Sequence, residues 1–140
     1  MFDHERLHVY QASLQFVAWV FERVDRLKGH FRHARDELLR ASQSVPRNIA
    51  EGNGKRSPAD RSRFFEIARG SALECAAVVD ELHLLGALDE EETKEGKGLL
   101  HRIVSMLTKM TEPTQGVRED APEYGHGLGN GYCGGTFDYD

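Results

Sequence analysis

The run Glu37-Leu38-Leu39-Arg40-Ala41-Ser42-Gln43-Ser44-Val45-Pro46-Arg47-Asn48-Ile49-Ala50-Glu51-Gly52 decides the fold. Ala34, Leu38, Ala41, Val45 and Ile49 recur at spacings of four, three, four and four, which is the seam of a helix packed in a bundle. Pro46 falls inside the seam. It deletes one backbone hydrogen bond and crowds the Ser42 carbonyl, but the pattern continues through Ile49 and Ala50, so a kink is expected and not a stop. Gly52-Asn53-Gly54 then breaks the helix, giving an element from about Phe31 to Glu51.

Working outward, the same period predicts three more helices. The first runs from Leu7 to Lys28, with Gly29 as its C-cap. Its apolar residues Val9, Tyr10, Leu14, Phe16, Val17, Val20, Phe21, Val24 and Leu27 fill an arc of about 160°, and Trp19 lies outside it. A surface helix needs about 100° to face one core, so the excess predicts a second buried surface. The third helix opens at Ser57-Pro58-Ala59-Asp60, a cap hydroxyl followed by a first-turn proline and acid. Its stripe is Phe64, Phe65, Ala68, Ala72, Cys75, Val79, Leu82 and Leu85, and Gly86 ends it. Gly70-Ser71 sit inside, where a glycine costs about 1 kcal/mol against alanine, so a close helix approach is expected there. The fourth helix opens at Asp89 with Glu92 in capping-box register and continues through Leu99, Leu100, Ile103, Leu107 and Met110 to Pro113. Gly96 and Gly98 predict fraying of its first half. Four helices on short loops give an all-α, antiparallel up-down-up-down bundle over residues 1–112. Residues 113–140 mix seven glycines with acids and tyrosines and are expected to be a disordered, acidic, glycine-rich tail.

The charge is divided along the chain. Residues 23–69 carry 12 basic and 6 acidic side chains, residues 70–112 carry 4 and 9, and the tail sets Arg118 against Glu119, Asp120, Glu123, Asp138 and Asp140. Such a split steers a polyanion to one side or pairs two halves of an assembly. No stretch of about 18 apolar residues exists, so no membrane span is expected. The start Met1-Phe2-Asp3-His4-Glu5 does not resemble a secretory leader, and the expected location is cytoplasmic. Cys75 in an apolar stripe and Cys133 in the tail are not expected to pair.

Catalytic signatures are absent. Gly52-Asn53-Gly54-Lys55-Arg56-Ser57 follows a helix and lacks phosphate-loop spacing. His4 and His8, and His30 and His33, are helical pairs short of the four ligands of a structural metal site. No metal or cofactor is therefore expected. The best binding candidate is the basic hairpin: Arg40 and Arg47 on the second helix, Lys55 and Arg56 in the loop, Arg61 and Arg63 on the third. Arginine forks suit phosphate oxygens. The competing reading is a solvated ladder pairing Arg47 with Glu51, Glu37 with Arg40 and Arg63 with Glu66. Asn48, Glu51, Gly52, Gly70, Ser71 and Glu74 read as the structural residues of the hairpin. Two carboxylates acting together at Glu51 and Glu74 are the less favoured alternative.

The Glu37–Gly52 run closely resembles the signature of the four-helix-bundle proteins encoded in intervening sequences of 23S ribosomal RNA. Phe64-Phe65-Glu66-Ile67-Ala68-Arg69-Gly70-Ser71-Ala72-Leu73-Glu74 looks like that family's second motif, and Leu7-His8-Val9-Tyr10-Gln11-Ala12 is similar to its opening. Related proteins serve as accessory variability determinants of diversity-generating retroelements. The resemblance implies a homo-oligomer, a pentamer, with Phe16, Trp19 and Val20 at the subunit interface. It also implies a non-enzymatic partner of structured RNA or of a reverse transcriptase–RNA complex. Glu37 stands where the family commonly has glutamine. The acidic tail is not a family feature, and it either repels phosphates or occupies the basic face in competition with them. The alternative function is an assembly scaffold with no nucleic-acid role.

Overall fold

The computed structural model describes residues 1–112 and contains four long helices: α1 (His8–Phe21), α2 (Arg32–Asn53), α3 (Pro58–Leu84) and α4 (Glu90–Thr111). The expectations for the tail and Cys133 lie outside the described residues. Each helix packs on its neighbours in the chain, and α4 closes the ring against α1. Arg40 meets Glu74 and Ser44 meets Ser71 across α2 and α3; Asp80 meets Lys97 and Arg69 meets Thr108 across α3 and α4. In both pairs of helices, earlier residues of one face later residues of the next, a register compatible with the up-down-up-down order.

Local chemistry sets the helix starts as expected. The Ser57 hydroxyl accepts the Asp60 amide at 3.3 Å ahead of Pro58. At α4 the Asp89 carboxylate accepts the Glu92 amide at 2.7 Å while Glu92 accepts the Asp89 amide at 3.1 Å. α2 passes through Pro46 without stopping. Side-chain donors gather on the carbonyls around the proline: Gln43 Nε2 donates to Leu39 O at 3.0 Å and Asn48 Nδ2 to Ser44 O at 2.8 Å.

The first helix is shorter than its apolar period. α1 ends at Phe21, and 3-10 turns at Val24–Arg26 and Gly29–Phe31 carry the chain to α2. Leu27 is buried from this turn, so the apolar spacing persists after the helix has ended. The turn also delivers Arg23 and Arg26 to Glu92, which both contact. Gly29, with φ +63°, lies in the left-handed region but follows the turn and does not cap a long helix.

The interface expectation for α1 is corrected by the burial. Phe16, Trp19 and Val20 are 1%, 3% and 0% exposed within a single chain. Trp19 stacks on Phe16 with ring centroids 5.4 Å apart, and the Arg23 guanidinium lies 4.5 Å from its ring centre. It fits because α4 has no side chain opposite it: a Cβ at Gly96 would lie 2.6 Å from Trp19 Cζ2. Gly96 therefore holds α4 against α1, and the expected fraying is replaced by a continuous helix. The second such contact is at Gly52, where a Cβ would lie 2.9 Å from both Phe64 Cβ and Phe65 Cε1. Gly70, where a close approach was expected, has no neighbour within 4 Å. The apolar side chains left outside on α1 are Leu14 and Phe21, two turns apart on one face.

Gly96→Ala should lower stability by about 1–3 kcal/mol through overpacking. Gly98→Ala, two residues away with nothing within 4 Å, should raise it by up to about 1 kcal/mol. Urea denaturation checks both, and equal effects would reject the Trp19–Gly96 contact. Glu92 meets both Arg23 and Arg26. Burial alone would raise its carboxyl pKa, but the Asp89 amide, Arg26 and Arg23 outweigh burial and hold it below the ordinary value. A depressed acid contributes stability above its unfolded pKa, and that contribution is lost as pH falls through the folded one. Glu92→Gln should therefore lower the melting temperature at neutral pH and flatten its decline below about pH 4.5, as followed by circular dichroism.

Candidate nucleic-acid interface

The α2–α3 hairpin is tied by a polar seam on its solvent side. Arg40 Nη2 donates to Glu74 Oε2 at 2.7 Å, the Ser44 and Ser71 hydroxyls lie 2.9 Å apart, and Asn48 Nδ2 donates to Ser44 Oγ at 3.0 Å. These are residues that the sequence marked as structural. Glu51 stands apart from them and pairs with Lys55 at 3.4 Å. Glu51 and Glu74 thus have separate cationic partners, which excludes the paired-carboxylate reading.

At the end of the hairpin, packing decides where the charges go. Gly52 lets α2 settle on Phe64 and Phe65. Arg61 then turns inward: its Nη1 donates to Asn53 O at 2.9 Å and Lys55 O at 3.4 Å, and its guanidinium lies 5.6 Å from the Phe65 ring centre. It satisfies carbonyls that the end of α2 leaves open. Arg61 is therefore a structural cap, although the sequence places it among the binding residues.

The other cations remain turned to solvent. Arg56 is exposed and has no ion pair or hydrogen bond among the described residues. Lys55 Nζ and the Arg63 guanidinium lie 5.2 Å and 4.7 Å from the ring centre of Phe64. Arg47 donates only to the neutral Gln43 Oε1, at 3.1 Å. An open depression of about 630 Å³ is lined by Arg47, Ala50, Glu51, Gly54 and Lys55. None of the three pairs of the expected ion ladder forms. Arg47 takes Gln43, Arg40 takes Glu74, Glu51 takes Lys55, Glu37 takes His33, and Arg63 takes an aromatic face. Sequence reasoning assigned Phe64 only to the core stripe. In the structure it is half-buried and organises two of the cations. The signal available was its position one residue from Arg63, within reach of the turn lysine.

Cys75 is buried in the core, and burial, then the Glu74 charge, pushes its thiol up to about 12 against a smaller lowering by Arg40. A thiol held protonated in this way is packing, not a nucleophile. Among the described residues no helix is long and apolar enough to cross a membrane.

The comparisons with known proteins agree with this architecture. A crystal structure of a protein of unknown function from the S23 ribosomal protein family of Bacteroides thetaiotaomicron superposes with a TM-score of 0.70 at 20% sequence identity, covering 75% of this chain and 99% of that one. At that identity the likeness speaks for the fold. No curated protein matches the chain. The model of the 23S rRNA-intervening sequence protein family matches residues 5–109, a span that takes in α1, α2 and α3 and nearly all of α4. On that match, the chain belongs to the 23S rRNA-intervening sequence protein family.

Proposed function

We propose that this protein is a non-enzymatic, homo-oligomeric bundle that binds structured RNA, or an RNA–protein complex of the reverse-transcriptase type, through the basic end of the α2–α3 hairpin. The observation that carries the reading is the group Arg47, Lys55, Arg56 and Arg63. These four cations share one end of one hairpin, and among the described residues only Lys55 has a carboxylate partner. A surface ion pair of this kind is worth about 0–1 kcal/mol, so Lys55 is readily drawn to a phosphate. Phosphate contacts by lysine and arginine supply most of the affinity for nucleic acids and need no recognition helix. The family's link to 23S rRNA supports an RNA and not a protein polyanion.

Self-association is the second half of the proposal. Its support is the exposed stripe of Leu14 and Phe21 on α1, 45% and 51% exposed, with the small Ala18 between them. A pentamer is the assembly implied by the family resemblance. The same stripe favours the alternative of a scaffold without nucleic acid, and the two readings part on RNA binding.

Replacing Arg47, Lys55, Arg56 and Arg63 together by Glu should abolish retention of a labelled hairpin RNA in a gel-shift assay and leave the helical circular-dichroism signal unchanged. Equal retention by the variant and the natural chain would reject the reading. Single substitutions separate the cap from the binding cations. Arg61→Ala should lower thermal stability by about 1 kcal/mol or more through the lost carbonyl bonds. Arg56→Ala should leave the melting temperature in place, weaken RNA binding and reduce its salt slope by about 1.

A further inference from the structure

The 3-10 turn Asp3–Arg6, ahead of α1, is fastened to the basic end of the hairpin. Asn53, the last residue of α2, donates from Nδ2 to Asp3 Oδ2 at 3.1 Å. Asn53 stands two residues before Lys55 and three before Arg56, at most about 11 Å of chain. Its carbonyl also receives Arg61. The turn carries a ladder of rings to this place. Phe2 stacks on His4 with ring centroids 5.8 Å apart and planes 11° from parallel, and His4 meets Tyr10 of α1 edge-on at 4.7 Å. His4 and Tyr10 are half-buried, whereas Phe2 is 72% exposed. The backbone around Phe2 is held: its amide donates to Glu5 Oε2 at 3.0 Å, the Glu5 amide donates to Phe2 O at 3.1 Å, and Gln11 Nε2 donates to Glu5 O at 3.0 Å. A ring left this exposed adds little to the core.

We propose that Phe2, backed by His4 and Tyr10, is a stacking platform for an unpaired base of the RNA, with the flanking phosphates on Lys55 and Arg56. The inference rests on the function proposed above and narrows its ligand to an RNA with a single-stranded loop or bulge. Aromatic faces joined to a basic surface are the usual means of holding single-stranded nucleic acid. Stacking is tolerant of sequence because every base has a face to offer. Bases inside a duplex have no free face, so a continuous duplex meets the cations alone. The carboxylates of the turn are engaged locally, Asp3 by Asn53 and Glu5 by the Phe2 amide.

The full chain and its Phe2→Leu and Phe2→Trp variants are titrated by fluorescence anisotropy with two fluorescein-labelled RNAs of equal phosphate number, a stem-loop and a fully paired duplex. Leucine keeps the apolar bulk and removes the aromatic face. Phe2→Leu should weaken stem-loop binding about five- to fiftyfold and leave duplex binding, the salt slope and the melting temperature unchanged. Phe2→Trp should bind the stem-loop at least as tightly as the natural chain. With 2-aminopurine at each loop position in turn, fluorescence should fall at one position or more on binding the natural chain and hold with Phe2→Leu. Stem-loop affinity that survives Phe2→Leu, but not the fourfold Glu replacement of the hairpin cations, would overturn the platform and leave the basic surface in place. Equal losses on stem-loop and duplex would make Phe2 a support of the turn and also overturn the platform. Binding of neither RNA by the natural chain at low salt would remove the function proposed above and the platform with it.

Discussion

The geometry of the basic end depends on a missing atom. Gly52 is buried against Phe64 and Phe65, at distances that leave no room for a Cβ. That contact brings the last turn of α2 down on the first turns of α3 and closes the hairpin within a few residues. Once it is closed, the open carbonyls at the end of α2 lie under Arg61, which spends its guanidinium on them. Phe64, pressed against Gly52 from one side, presents its ring to Lys55 and Arg63. A larger residue at position 52 would separate the helices, and the arginine that caps, the lysine that stacks and the arginine left free would lose their distinct settings.

Gly96 performs the matching task at the other interface by admitting Trp19. The indole Nε1 is buried there with no hydrogen-bond partner among the described residues, an arrangement that costs about 1–3 kcal/mol. Stacking on Phe16 and the Arg23 cation offset that cost. Arg23 in turn holds Glu92, whose carboxylate also caps α4. The α1–α4 side is therefore locked by aromatic packing and a shielded ion cluster. The α2–α3 side packs through buried apolar residues, carries its polar seam on the solvent face and leaves Arg47, Arg56 and Arg63 exposed. This asymmetry leaves the exposed arginines of the hairpin end outside the packing of the bundle.

Much of the fold is legible in the sequence because its signals are local. The α2 seam, the Ser57 and Asp89 caps and the glycine breaks each involve residues within a turn or two of one another. The misreadings at Trp19 and Arg40 share one cause, which is that the deciding partner lies far along the chain. Trp19 looks unpartnered on a helical wheel because its partner is the absence of a side chain at Gly96, and hydrophobic periodicity does not record an absence. Val24 and Leu27 keep the helical period while the backbone has already turned. Arg40 has an acid three residues away at Glu37 but takes Glu74 from the next helix. Arg61 counts as one more cation in the composition, and only the carbonyls around Gly54 turn it into a cap. The list of basic residues was readable from the sequence, but which of them remain free depends on tertiary contacts.

If RNA is held by Arg47, Lys55, Arg56 and Arg63 at one end of the bundle, its binding must weaken as salt rises. The most direct measurement is the salt dependence of hairpin RNA binding by the natural chain, followed by fluorescence anisotropy over a range of potassium chloride concentrations. Each phosphate neutralised contributes about −0.7 to −0.9 to the slope of log K against log salt. Four cations therefore predict a slope of about −3 or steeper. Binding insensitive to salt, or no binding at the lowest salt, would contradict the account.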